Sequence, residues 1–185
     1  MRSKRAIMFL YLAGMLAGLQ IRTQAQEAPP SEYQLKAAFL FNFAKFVEWP
    51  ADVFPEPDSP FVIGILGENP FESDLEHAVK GKAISGHPFV VNQLKTVSEL
   101  TTCHILFISK SERKRLPEIL AALGRASVLT VSEVDRFLQA GGMVNFVLEG
   151  NKVRFEINDD AAKRAGLRIS SKLLNLAKRS GREGR

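Results

Sequence analysis

Three histidines, His77, His87 and His104, and one cysteine, Cys103, are the side chains through which this chain could ligate a metal or attack an electrophile. A metal site needs such ligands grouped at fixed spacing, and these stand singly, with no His-Glu-x-x-His and no second Cys. No metal or cofactor is expected. Cys103 and His104 are adjacent, but neighbouring residues of a strand point to opposite faces, which separates a thiolate from its base. Ser85-Gly86-His87 and Ser170-Ser171 lack the Gly-x-Ser-x-Gly elbow and an acid partner. Gly64-x-x-Gly67 has neither the three glycines of a dinucleotide fingerprint nor the Gly-Lys-Ser/Thr of a phosphate loop, and reads as a turn that ends a strand. No residue is assigned to catalysis, and an enzyme is not expected.

Two groups are left that could bind. Arg154, Lys163, Arg164, Arg168 and Lys172 lie in neighbouring segments, and Arg154, Arg168 and Lys172 on one rim would suit carboxylates or phosphates. Glu156, Asp159 and Asp160 are interleaved with them, which favours a solvated mixed-charge face. Asp159 and Asp160 follow Asn158 at a helix start, where each carboxylate contributes roughly 0.3 to 1 kcal/mol against the helix dipole. The second group is aromatic. A helix with Phe at 39, 41, 43 and 46 cannot hide every ring on one stripe. Phe39, Phe43, Trp49 and Pro50 are therefore either core or a contact surface for another protein.

The elements that position these residues are readable from periodicity. Ser31-Glu32-Tyr33-Gln34 is a capping box, and Leu35, Phe39, Phe43, Phe46 and Val47 follow at helical spacing up to Pro50. Glu32, Lys36, Lys45 and Glu48 are expected on the wetter side. Strands are expected at Phe61–Leu66, Phe89–Val91, His104–Ile108 and Ser127–Val131, with helices at Asp74–Val79, Ser111–Leu123 and Glu133–Ala140. Met143–Leu148 and Lys152–Ile157 read as an antiparallel hairpin. Asn158 caps a helix to Ala165, and Ser170 starts a last one. The alternation predicts an α/β fold: a mostly parallel central sheet flanked by helices on both faces, with an antiparallel hairpin near the C-terminal end.

Arg2, Lys4 and Arg5 precede an apolar run from Ala6 to Leu19, the form of a signal peptide over residues 1–25 that is cut after Thr23-Gln24-Ala25. The run is shorter than the roughly 20 residues a membrane span needs. Its removal takes four of the 25 basic residues and none of the 20 acidic ones, so the net charge falls from +5 to near +1. A nucleic-acid partner is therefore not expected. The remaining chain reads as a lead (26–30), one domain (31–177) and a flexible basic tail (178–185). Cys103 alone forms no internal disulfide and is expected to be buried.

The segments Lys36-Ala-Ala-Phe-Leu-Phe-Asn-Phe-Ala-Lys-Phe-Val-Glu-Trp-Pro50, Gly141-Gly-Met-Val-Asn-Phe146, Lys152-Val-Arg-Phe-Glu-Ile-Asn158 and Ala165-Gly-Leu-Arg-Ile-Ser-Ser-Lys-Leu-Leu174 together resemble the YfiR family, in its order and over nearly the whole mature chain. The resemblance implies a periplasmic α/β protein that binds the periplasmic sensor region of an inner-membrane diguanylate cyclase and so lowers cyclic di-GMP and biofilm formation. It also implies an OmpA-like outer-membrane lipoprotein that relieves the restraint, and a homodimer. Some members carry Cys pairs, from which this chain departs. A receptor for an anionic small molecule at Arg154 and Arg168 is the alternative reading.

Overall fold

The structure, a computed structural model, describes residues 29–178; the predicted signal peptide and most of the tail lie outside them. Helix α1 (Glu32–Phe46) begins where the capping box places it: Ser31 Oγ accepts from Gln34 N at 3.1 Å, and Gln34 Oε1 accepts from Ser31 N at 3.0 Å. It ends before Pro50, because Val47 turns extended and Val47–Glu48 (β1) pairs antiparallel with Arg168–Ile169 (β9). Tertiary pairing, more than the proline, sets this boundary. The fully buried stripe of α1 is Lys36, Ala37, Leu40, Phe43 and Ala44. Small Ala37 and Ala44 let the helix approach the sheet closely, and the bulkier Leu35, Phe39, Phe41 and Phe46 pack half-buried on its flanks.

Seven strands form the main sheet: β2 (Phe61–Leu66), β3 (Ala83–Ile84), β4 (His87–Leu94), β5 (Ile105–Ile108), β6 (Leu129–Ser132), β7 (Val144–Glu149) and β8 (Lys152–Ile157). Their order is β3-β4-β2-β5-β6-β7-β8. The five from β4 to β7 run parallel, and β3 and β8 close the two edges antiparallel. Every residue of β2 is buried, as a strand covered on both faces requires. One core lies between the sheet and α1 with the short helices α2 (Asp74–Val79), α4 (Asp159–Arg164) and α5 (Ser171–Leu176), through Ile63, Ile65, Phe107 and Val131. The other holds Val62, Leu66, Leu106 and Ile108 against α3 (Leu116–Leu123). The predicted layering is thus present.

Gly64 sits inside β2, where an added Cβ would stand 2.7 Å from Leu94 Cδ1, and Gly67 turns the chain with φ +87. They belong to a strand and its closing turn. No helix of the described residues is long and apolar enough to cross a membrane.

Two predicted helices are corrected. Ser111–Leu123 divides into a 3-10 turn (Lys110–Arg115) and α3, because Pro117 lacks the N–H that an interior helical position must donate. Glu133–Ala140 is a series of turns: Arg136 takes φ +60, which no helix accommodates. That left-handed step drives Phe137, fully buried, into the α3-side core, and Gly142 closes over its ring with no room for a side chain. Gly142→Ala is expected to overpack this contact and cost about 1 to 3 kcal/mol, read as a lowered midpoint in urea unfolding with an unchanged slope.

Candidate functional site

Lys36 lies in the buried stripe of α1 and is 2% exposed. A lone ammonium in that position is untenable; it must be paired. Its Nζ is bonded by Glu32, one turn back, and by Glu133, which follows β6. The second oxygen of Glu133 accepts from Tyr33 Oη at 3.1 Å and stands 3.6 Å from Lys110 Nζ. The Tyr33 ring lies 4.5 Å from Nζ, a cation–π contact. Burial first, and the charge of Glu133 second, push the Tyr33 phenol up to about 12, so it stays a donor at physiological pH. Ser132 fixes the backbone here by donating to the Ile108 carbonyl at 2.7 Å and accepting from Val134 N at 3.2 Å.

Beside this centre is a cleft of about 410 Å³ walled by Glu32, Lys36, Lys110, Glu133, Phe146 and Leu148. It opens at the carboxyl ends of β5 and β6, the end of a doubly wound sheet where ligand sites are found.

A second cleft of about 410 Å³ involves Lys45, Glu48, Trp49, Phe54, Phe61 and His87. Phe54 is stacked between His87 (3.9 Å) and His104 (4.5 Å), and His104 lies on Phe61 at 4.7 Å. Trp49 meets Phe61 edge-on at 5.0 Å. His87 Nδ1 donates to the Ser59 carbonyl at 2.6 Å, while His104 Nδ1 accepts from Val62 N at 3.0 Å. The proton of neutral His104 is therefore on Nε2, a buried atom with no hydrogen-bond partner of good geometry. Burial is the main cause that lowers the pKa of His104.

The aromatic candidates converge at one layer. Phe43 is fully buried, 5.1 Å from Phe155, and half-buried Phe39 is 5.3 Å from the same ring. Trp49 and Pro50 are half-buried, Trp49 on the second cleft. The cationic candidates are not brought together. Arg154 points outward from β8, 3.8 Å from Glu149; Arg168, on the separate small sheet, pairs with Glu48 at 3.2 Å; Lys172 is exposed on α5. Asp159 pairs with Lys163 at 2.6 Å in a helix that Asn158 caps. Cys103 is buried and donates to the Leu100 carbonyl, and burial pushes its thiol up to about 12.

The residue that the sequence reading placed on the wrong side is Lys36. Its signal was available: position 36 is in helical phase with Leu40, Phe43 and Ala44, so the true stripe runs through a lysine.

The class this defines is a doubly wound α/β domain with a buried Lys36–Glu133 ion pair at the carboxyl end of its sheet. The chain belongs to the YfiR/HmsC-like family (DUF4154), whose model matches residues 33–178. At the level of that family, the role is periplasmic regulation in cyclic di-GMP signalling. Among solved structures, a conserved domain protein from Vibrio cholerae O1 biovar El Tor is similar at 10% identity with a TM-score of 0.55, over 82% of this chain and 61% of that one. This chain thus spans less than two thirds of that protein, and the likeness shows the fold. The ABC domain in complex with L-Trp from Streptococcus pneumonia matches at 11% identity and a TM-score of 0.45, over 64% of this chain and 54% of that one.

Two outcomes are expected. Lys36→Ala strands the buried Glu133 carboxylate and costs about 3 to 5 kcal/mol, whereas Lys36→Met combined with Glu133→Leu recovers most of that in equilibrium denaturation. His104 binds its proton more weakly folded than unfolded, so the unfolded chain takes up more protons below the ordinary histidine pKa, about 6.5. Its contribution is present above that pH and lost as pH falls towards the depressed folded value. Stability measured from pH 7.5 down to 5 should fall in the wild type and fall less in His104→Gln.

Proposed function

We propose that this chain is a periplasmic negative regulator that binds the periplasmic sensor region of an inner-membrane diguanylate cyclase and holds it in its inactive state. The observation that carries this reading is the family match, which runs through the whole described fold from the start of α1 to the bridge after α5. Exported chain in the periplasm sets how much cyclase is restrained, and an OmpA-like outer-membrane lipoprotein that sequesters it restores activity. A regulator shifts such an equilibrium only by its difference in affinity for the two states; about 1 to 3 kcal/mol of coupling changes the balance roughly 5- to 150-fold. Within this reading Phe39, Trp49 and Pro50, each half-buried, are the reachable members of the aromatic block, because Phe43 is closed off inside the core. The anionic-ligand reading is not favoured, since Arg154 and Arg168 lie in different sheets and each faces its own carboxylate.

The test is co-expression with a membrane cyclase of this architecture and measurement of cellular cyclic di-GMP. The full-length chain should lower it, and a version lacking residues 1–25 should not. An unchanged level with folded, exported protein in the periplasm would overturn the reading.

A further inference from the structure

Strand β3 covers the β4 edge of the main sheet over part of its length. It pairs through Ala83↔Pro88 and Ile84↔His87, and Phe89 N donates to the Lys82 carbonyl at 3.3 Å. There the cover stops. Because Phe89 N points away from β2, strand alternation points the main-chain N–H and C=O of Val91 and Gln93 the same way. No strand of the described residues pairs with them. The Gln93 side chain folds back to the carbonyls of Ile65 and Gly67, at 3.1 and 2.7 Å, which leaves the edge clear.

An open edge beside a helix is a groove for an extended peptide: its main chain continues the ladder, and its alternate side chains enter the space under the helix. That space is a cleft of about 290 Å³, with Val79 of α2 and Phe89 and Val91 of β4 as its apolar wall and Glu76 and Lys80 on its rim. Phe89 and Val91 pack on the α1-side core yet remain half-buried.

The two ends of the groove differ, and the difference selects the occupant. At the β3 end three exposed ammonium groups gather. Lys82 and Lys45 lie 4.2 and 5.5 Å from the ring of Phe41, Phe41 meets Phe89 at 5.4 Å, and Lys80 caps the end of α2. The other end is marked by Glu76: α2 starts at the first turn of α1, where Gln34 Nε2 donates to Asp74 at 3.3 Å, and runs back against β4. No ion pair among the described residues uses Lys45, Lys80, Lys82 or Glu76. A strand laid on Val91 cannot continue past Phe89, whose N–H already belongs to Lys82. It has to stop there. A chain antiparallel to β4 stops with a carboxylate, which the three cations attract, whereas a parallel one would begin there with an ammonium, which they repel.

We propose that the β4 edge binds the free carboxyl terminus of an extended partner peptide, antiparallel to β4, with an apolar last residue and a basic residue two positions before it. The last residue lies opposite Val91. Its N–H donates to the Val91 carbonyl, one carboxylate oxygen accepts from Val91 N, and the other faces Lys80 and Lys82. Residues opposite one another fall on the same face, so its side chain enters the cleft between Val79, Phe89 and Val91, and the residue opposite Gln93 projects beside Glu76. The restraint of a cyclase is not needed for this site, and the two readings stand or fall separately.

Fluorescence anisotropy of the labelled pentapeptide Gly-Ser-Lys-Thr-Leu, titrated with the purified mature chain, tests this. The free acid should bind saturably. The C-terminal amide, and a peptide lengthened by Gly-Ser after the leucine, should each bind about tenfold more weakly. Lys80→Glu or Lys82→Glu should weaken the free acid about fivefold with unchanged circular dichroism, and Glu76→Lys should reverse the preference for lysine over glutamate at the third position of the peptide. Val91→Pro removes an N–H that β2 does not use and should abolish binding; the charge variants decide the matter if it fails to fold. No saturation up to about 1 mM, or equal binding of the acid, the amide and the lengthened peptide, overturns the proposal. Binding indifferent to the Lys80, Lys82 and Glu76 substitutions overturns it as well.

Discussion

The fold depends on the ion pair of Lys36 with Glu133. It joins the first helix to the turn after β6, positions 97 residues apart in the chain. A buried ion pair is a weak source of net stability, because desolvating the two charges offsets most of their attraction. Its consequence is positional. With Lys36 on the sheet-facing stripe, the helix cannot rotate or slide by a turn without leaving a bare charge in the core, whereas Ala37, Leu40 and Ala44 alone would tolerate several placements. The apolar stripe supplies most of the driving force and the pair selects the register. Tyr33 and Glu32, within the first turn of the helix, complete the ring of partners, so helix start, helix phase and sheet end are fixed together.

Much of this architecture was legible in the sequence because its signals are local. The capping box at Ser31, the all-apolar β2, the turn of Gly150-Asn151 between β7 and β8 and the Asn158 cap each work within a few residues, and each appears where expected. Where reading failed, the cause lay elsewhere in the chain. Glu133–Ala140 has a helical composition and a cap at Ser132, yet the chain must deliver Phe137 to one core and reach β7 at once, which a helix cannot do. Lys36 was assigned to solvent by its type. Only its partner nearly a hundred residues later makes a buried position tolerable, and no window of local sequence contains both.

The binding candidates divide on the same line. Aromatic clustering in Phe39, Phe43 and Trp49 did mark a layer of the core, since large rings have to meet something large: Phe146 and Phe155 for Phe39 and Phe43, and Phe61 for Trp49. Charge clustering in Arg154, Arg168 and Lys172 marked no shared place. Proximity in sequence does not survive a hairpin and a change of sheet, and the nearest acids, Glu149 and Glu48, come from segments on the far side of those turns.

Helix α1 is also the element that lines both large clefts: Glu32 and Lys36 wall one, Ala44 and Lys45 the other. Its 15 residues extend about 22 Å, close to the full depth of the parallel strands. A group that enters the first cleft competes for Glu32 and Glu133, the partners that set the helix's phase. One that enters the second presses on Val47 and Trp49, where the helix gives way to β1. Because the ion pair selects one phase of α1 and penalises the others, both clefts are framed by a helix held in a single register. The stacked His87, Phe54 and His104 lie at its carboxyl end, on Phe61 beside Trp49, so the aromatic packing and the end of the helix share one layer.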